Sequence, residues 1–130
     1  MLPEGLRVVK GDWFRGSGIR ELFVSGSVEE IESNAFDYCQ SLTKVTFAEG
    51  SRLKTIGQEA FAYTPISEFE VPQQLANIGA GAFAGTSLKK FVTSKQIKTI
   101  GSGAFRDCKD LKKFSLNSDI QIPDDVFQNS

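Results

Sequence analysis

The chain of 130 residues contains no histidine. That absence removes the commonest general base, the serine–histidine triads and most zinc sites. Cysteine is nearly absent too, with Cys39 and Cys108 alone, and two cysteines without histidine make a poor metal site. No apolar run approaches the roughly 20 residues needed to cross a bilayer, so no membrane insertion is expected. Met1-Leu-Pro-Glu-Gly5 lacks a basic stretch followed by an apolar one, and the expectation is that no signal peptide is present. Met1 stands a few residues ahead of a partial repeat, which fits a start codon placed on an excised segment. Asp124-Asp125 precedes Val126-Phe127 and reads as helix N-terminal charge rather than a paired-carboxylate site. The Gly-x-Gly at 101–103 lacks the strand, long helix and downstream acid of a dinucleotide site. The expectation is a protein that is not an enzyme and needs no cofactor.

What the sequence does contain is repetition. Ile-Gly-Ser-Gly-Ala-Phe at 100–105 recurs as Ile-Gly-Gln-Glu-Ala-Phe at 56–61 and Ile-Gly-Ala-Gly-Ala-Phe at 78–83, with weaker copies ending at Phe14, Phe36 and Phe127. The intervals between the six phenylalanines are 22, 25, 22, 22 and 22 residues, a period that marks a stacked repeat architecture. Each phenylalanine is followed by a polar turn and an apolar triplet: Ile19, Leu22, Val24; Leu42, Val45, Phe47; Ile66, Phe69, Val71; Leu88, Phe91, Thr93; Leu111, Phe114, Leu116. The last two members alternate with polar residues, which predicts a short strand with one buried face. A second apolar pair, such as Leu53 and Ile56 or Ile97 and Ile100, predicts another short extended piece. The small-residue-plus-phenylalanine pair is expected on one helical or 3-10 turn.

No such unit can bury its apolar face alone, so the units are expected to stack right-handedly into one solenoid domain spanning 1–130. It comprises a partial unit 1–14 and units near 15–36, 37–61, 62–83, 84–105 and 106–127, with the phenylalanines stacked ring on ring in the core. Gly57, Gly79 and Gly101, four residues before their phenylalanines, call for either a left-handed backbone or close approach between rungs. Trp13, in a column otherwise small inside the array, is expected to cap one end. Cys39 and Cys108 occupy one column three rungs apart, about 14 Å at about 4.8 Å per rung, too far for a disulfide; two buried free thiols are expected. The longer interval arises from Ala48-Glu-Gly-Ser-Arg52, a candidate contact loop or an idle bulge. The last unit stops before its next strand, which suggests a fragment of a longer protein or end-to-end self-association.

The unit Leu-x-x-Leu-x-Leu, then Ile-Gly-x-x-Ala-Phe-x-x-Cys/Thr, as from Ser87 through Phe105, resembles the BspA-like, or treponemal-type, leucine-rich repeats. The resemblance implies a leucine-rich-repeat coil of five to six units. It also implies a class frequent in surface proteins of bacteria and of parasitic or commensal protists, linked with adhesion and host contact. Ordinary leucine-rich repeats carry an asparagine ladder; here that column holds Ser27, Gly50, Gln74, Gln96 and Asp119, as the BspA-like type does.

Binding is the function left to consider. Alternation turns Phe23, Thr46, Glu70, Val92 and Ser115 outward on the strand face, beside Glu21, Lys44, Glu68, Lys90 and Lys113. Charge is uneven along the axis: residues 1–88 carry seven basic and eleven acidic side chains, a net of −4, whereas 89–113 carry eight and two, a net of +6. Lys89 and Lys112, like Lys90 and Lys113, are expected on adjacent rungs, where like charges repel. Such an arrangement suits an anionic partner, a protein or an anionic glycan; without interleaved aromatics, nucleic acid is disfavoured. The expected binding residues are Phe23, Glu70, Val92, Lys89, Lys90, Lys112 and Lys113. The bland alternatives are lysines kept for solubility and a rigid spacer that holds another domain away from a surface.

Overall fold

The computed structural model describes residues 2–117 and 119–130; the expectation for Met1 lies outside them. Among the described residues ten short strands follow one another: β1 Val8–Val9, β2 Glu21–Val24, β3 Glu30–Ile31, β4 Lys44–Phe47, β5 Thr55–Ile56, β6 Glu68–Phe69, β7 Asn77–Ile78, β8 Lys90–Val92, β9 Thr99–Ile100 and β10 Lys113–Ser115. All pairings are parallel, in the orders β1-β3-β5-β7-β9, β2-β4-β6 and β8-β10. The register is the one the repeat implies: Glu21 faces Lys44, Lys44 faces Glu68, Lys90 faces Lys113, and Ile56 faces Ile31 and Ile78. The chain is a parallel solenoid of about five turns.

The third side of each turn corrects one expectation. No helix occurs among the described residues; the phenylalanine segments are runs of turns. Residues two before and two after the phenylalanine are left-handed, as at Asn34 (φ 62°) and Tyr38 (φ 59°) around Phe36, and Glu59 (55°) and Tyr63 (58°) around Phe61. Interleaving left- and right-handed residues sends alternate N–H groups in different directions. Phe36, Phe61 and Phe83 donate to the carbonyls of Ala60, Ala82 and Ala104 on the next rung (2.8, 2.9 and 2.8 Å), while Ala60 and Ala82 donate back three residues to Gly57 and Gly79 (both 3.2 Å). A helix would turn every N–H along its own axis and leave adjacent rungs unjoined.

The core is built from two aromatic columns. Phe14, Phe36, Phe61, Phe83, Phe105 and Phe127 stack in sequence with centroids 5.1–6.0 Å apart and planes within 22°. Phe69, Phe91 and Phe114 wedge against them edge-on or tilted, as in Phe69 to Phe83 at 4.9 Å and 79°. Both geometries suit the ring quadrupole.

The glycine column is settled by packing. At Gly57, Gly79 and Gly101 a Cβ would lie 2.6, 2.6 and 2.4 Å from a backbone nitrogen of the preceding rung; the reason is close approach, and none of the three has positive φ. Glu32 fills this column by laying its carboxylate on the preceding rung, where it accepts from the Gly11 N–H at 3.0 Å. Both cysteines are free and buried. Their thiols donate to the Phe14 and Phe83 carbonyls (2.9 and 3.1 Å), and Thr64 and Ser130 in the same column do so to Phe61 and Phe105 (2.8 and 2.6 Å). Trp13 leans edge-on against Phe14 yet stays 53% exposed, so it covers its end only in part, and Leu2 is buried there instead.

Candidate binding face

The strand face is not one sheet. Among the described residues no strand pairing joins β6 to β8. The disturbance begins one rung earlier. Ala48 donates its N–H to Val24 at 3.0 Å, and the residue in the Ala48 column of the next rung is Pro72. Proline has no N–H, so the matching bond to Phe47 cannot form. The group this leaves without its ladder donor is the Phe47 carbonyl; the Phe47 N–H, a separate group, donates to the Glu70 carboxylate at 3.4 Å.

Two clefts open where the rungs part. The larger, about 610 Å³, lies between Phe47–Ser51 and Glu70–Gln74; the inserted loop that includes Glu49 and Gly50 forms one wall. The second, about 400 Å³, is lined by Val71, Gln73, Val92–Gln96 and Asn117. Val71 and Gln73 line both and form the ridge between them. The floor of the second cleft is a closed polar network: Asn117 donates to Thr93 Oγ1 (2.8 Å) and to the Thr93 carbonyl (2.5 Å), and Ser94 donates to the Leu75 carbonyl (2.5 Å).

The residues singled out for binding fall into three groups. Glu70 and Val92 flank the Val71–Gln73 ridge. Lys89, Lys90, Lys112 and Lys113 are exposed at the start of the β8–β10 sheet, Lys112 and Lys113 also bordering a shallower hollow of about 250 Å³ with Phe114 and Phe127. Phe23, 37% exposed, lies on the other sheet opposite Thr46, apart from both groups. Pro72, Gln73 and Gln96 escaped the sequence reading. The signal available was a proline in a strand column immediately after the one irregular interval.

The profile of the BspA type leucine rich repeat region matches residues 7–130 in six copies. This chain belongs to that family. Solved structures agree on the fold. A leucine-rich repeat protein from Bacteroides ovatus is 25% identical with a TM-score of 0.69, over 86% of this chain and 29% of that one. The T. pallidum leucine rich repeat protein is 24% identical (TM-score 0.61; 89% and 66% covered), and the pneumococcal vaccine antigen PcpA 20% (0.59; 92% and 36%). This BspA-type chain therefore spans less than a third of the Bacteroides protein. No curated protein sequence matches it.

Elsewhere the BspA-type coil carries polar side chains that, one buried Asp37 oxygen apart, are engaged within the chain. On the turn side, Tyr38 and Tyr63 stack at 5.3 Å. Arg15 covers the Tyr38 ring at 5.7 Å, and the Gly85 backbone closes on Tyr63 so nearly that a Cβ would meet the ring at 2.6 Å. Tyr38 is 45% exposed, but each ring is already stacked on its neighbour and closed against a second group, so this is no platform for a ligand. Arg106 reaches back two rungs to Tyr63 Oη (3.2 Å) and Glu59 (3.4 Å); the Tyr63 hydrogen bond is the main cause that raises its pKa above the ordinary guanidinium value. Asp125 is held below the ordinary carboxylate value chiefly by the Ser102 hydroxyl. Asp37 is buried, with Asn34 donating to one oxygen at 2.7 Å and Arg15 Nε 3.2 Å from the other but not aimed at it. No group of acidic or cysteine side chains among the described residues could hold a metal ion.

Proposed function

We propose that this BspA-type segment is a non-catalytic recognition module that meets a protein or glycan on its strand face, astride the Val71–Gln73 ridge. The observation that supports it is the Val71–Gln73 ridge with a cleft on either side, one toward the rung of β4 and the other across the break between β6 and β8. Among the described residues the other consecutive strands of this face pair in parallel, whereas β6 and β8 do not and the backbone bond retained there is from Ser87 N–H to the Ile66 carbonyl at 2.9 Å. Only here does the coil offer concave walls whose side-chain amides, Gln73 and Gln96, have no partner among the described residues. Concave sites with a few convergent polar groups over an apolar wall, here Val71 and Val92, are where ligands bind. Adhesion at a cell surface is the setting that the family resemblance supplies for this reading.

The test is a printed array of peptides and of neutral and charged glycans, probed with the wild type, Val92→Asp and Gln73→Ala. Both changes are on exposed side chains and should leave the unfolding midpoint within about 0.5 kcal/mol of wild type. Signals that fall in both variants support a ligand on the ridge. Signals retained in both would refute it. An array with no signal favours the spacer, for which the unbroken phenylalanine stack from Phe14 to Phe127 is the structural argument.

A further inference from the structure

The β8–β10 face departs from the charge pattern of its own array. Along the first sheet the column before the outward residue reads Glu21, Lys44, Glu68, so each charge stands opposite its counter-charge. Lys90 and Lys113 then stand opposite each other. Lys89 and Lys112 sit beside them in the next column, joined by the backbone bond from Lys112 N–H to the Lys89 carbonyl at 2.8 Å. The result is a two-by-two grid of exposed ammonium groups on rungs about 4.8 Å apart. Among the described residues none of the four forms an ion pair, although like charges directly opposite on a sheet destabilise it. The strand Lys90–Val92 leads directly into the second cleft, where Lys95 and the free amides of Gln73 and Gln96 stand.

We infer that this face binds a sulfated glycan chain, with the lysine grid on the sulfates and the cleft amides on sugar hydroxyls. The inference rests on the recognition-module reading and names its ligand. Two features select a glycan among polyanions. A nucleic acid would need aromatic rings free to stack bases; half-buried Phe114 of β10 is already packed against Phe91, Phe105 and Phe127, and none of the exposed large apolar groups, Trp13, Phe23, Tyr38 and Val92, is an aromatic ring on β8 or β10. An acidic peptide would meet the lysines with its carboxylates and offer the cleft amides its backbone groups, with no hydroxyl and anion held on one ring. A sulfated sugar carries anion and hydroxyl on the same ring, which is the combination that grid and cleft present side by side.

The experiment is retention of the full chain on immobilised heparin, hyaluronan, polyglutamate and single-stranded DNA across a salt series. It is run beside a variant with Lys89, Lys90, Lys112 and Lys113 changed to Gln and beside Gln73→Ala/Gln96→Ala. We expect heparin to retain the wild type to higher salt than the other three polymers. The lysine variant should lose about tenfold or more in affinity, and the amide pair a smaller amount seen on heparin but not on polyglutamate. Equal retention on all four polymers would reduce the grid to ion exchange and overturn the inference, and preferential retention on DNA or polyglutamate would transfer the face to that ligand. Array binding of a neutral glycan or peptide with no heparin retention would refute the sulfated ligand while leaving the recognition module standing. The absence of both would remove the two together.

Discussion

Phe83 touches four other rings, Phe61, Phe69, Phe91 and Phe105, at centroid distances of 5.7, 4.9, 5.2 and 5.4 Å, and has no exposed surface. Truncating it leaves a void on all sides, so Phe83→Ala should cost about 3–5 kcal/mol, read as a lower denaturation midpoint in urea. A loss below 1 kcal/mol would sink the two-column core. Gly101 tests a different contact. Its missing Cβ would lie 2.4 Å from the Ala80 nitrogen, a backbone atom between the ladder bonds of the Gly79 and Gly81 N–H groups, whereas a Cβ on Gly18 meets nothing within 4 Å. Gly101→Ala should therefore destabilise by more than about 2 kcal/mol, and Gly18→Ala should be neutral or stabilise by up to about 1 kcal/mol through the unfolded state. Similar midpoints for the two variants would contradict close rung packing as the reason for the glycine column.

Cys108 carries a pH consequence. Burial raises its thiol above 9.0, so the fold binds the thiol proton more tightly than the unfolded chain does. That contribution is complete below the unfolded thiol value and is lost as pH rises through the higher folded one. Cys108→Thr, the residue type already present in that column at Thr64 and Thr86, removes the titration and keeps a donor for the Phe83 carbonyl. Between pH 8 and pH 10.5 the wild type should lose more stability than Cys108→Thr, with whatever the two chains share cancelling in the difference. Equal losses would mean that the thiol is not protected by the fold.

At the scale of elements, the turn side is tied by a clasp as well as by its ladder. Arg106 and Tyr63 lie beside the Phe105 and Phe61 turns, and they meet because the intervening Phe83 turn supplies Gly81 and Gly85. A Cβ at Gly81 would lie 2.9 Å from Arg106 Nη1. A double-mutant cycle with Arg106→Gln and Tyr63→Phe should give a coupling of about 0.5–1.5 kcal/mol; no coupling would mean that the bond at 3.2 Å contributes nothing in solution. The strands themselves were legible in sequence because alternation and the 22-residue period repeat in every unit. The turn elements were not. Their helical reading failed because the left-handed positions are filled by Asn34, Tyr38, Glu59 and Tyr63 as well as by Gly81 and Gly85, so no uniform residue type announced them.

For the whole molecule, the charge asymmetry that sets up the proposed ligand face also weakens the fold. Facing Lys90 and Lys113 across a parallel pair should cost a few tenths of a kcal/mol, so changing Lys89, Lys90, Lys112 and Lys113 to Gln should raise the unfolding midpoint at low salt. Added sodium chloride should stabilise the wild type more than this variant, because screening relieves a repulsion that the variant lacks. A variant less stable than wild type in low salt would show that the lysines act structurally.

The amino-acid sequence by itself determined the repeat, the two buried thiols, the phenylalanine column and the facing of Lys90 on Lys113. In a solenoid, equivalent residues stack by translation, so a constant interval along the chain is a constant neighbour in space. The tertiary structure alone decided where that translation fails. The parting of the strands at Pro72, the ridge of Val71 and Gln73, and the reach of Arg106 across an intervening rung depend on which N–H finds which carbonyl and on the space a missing side chain leaves. Those are relations between residues that are not equivalent in the repeat, and no period encodes them.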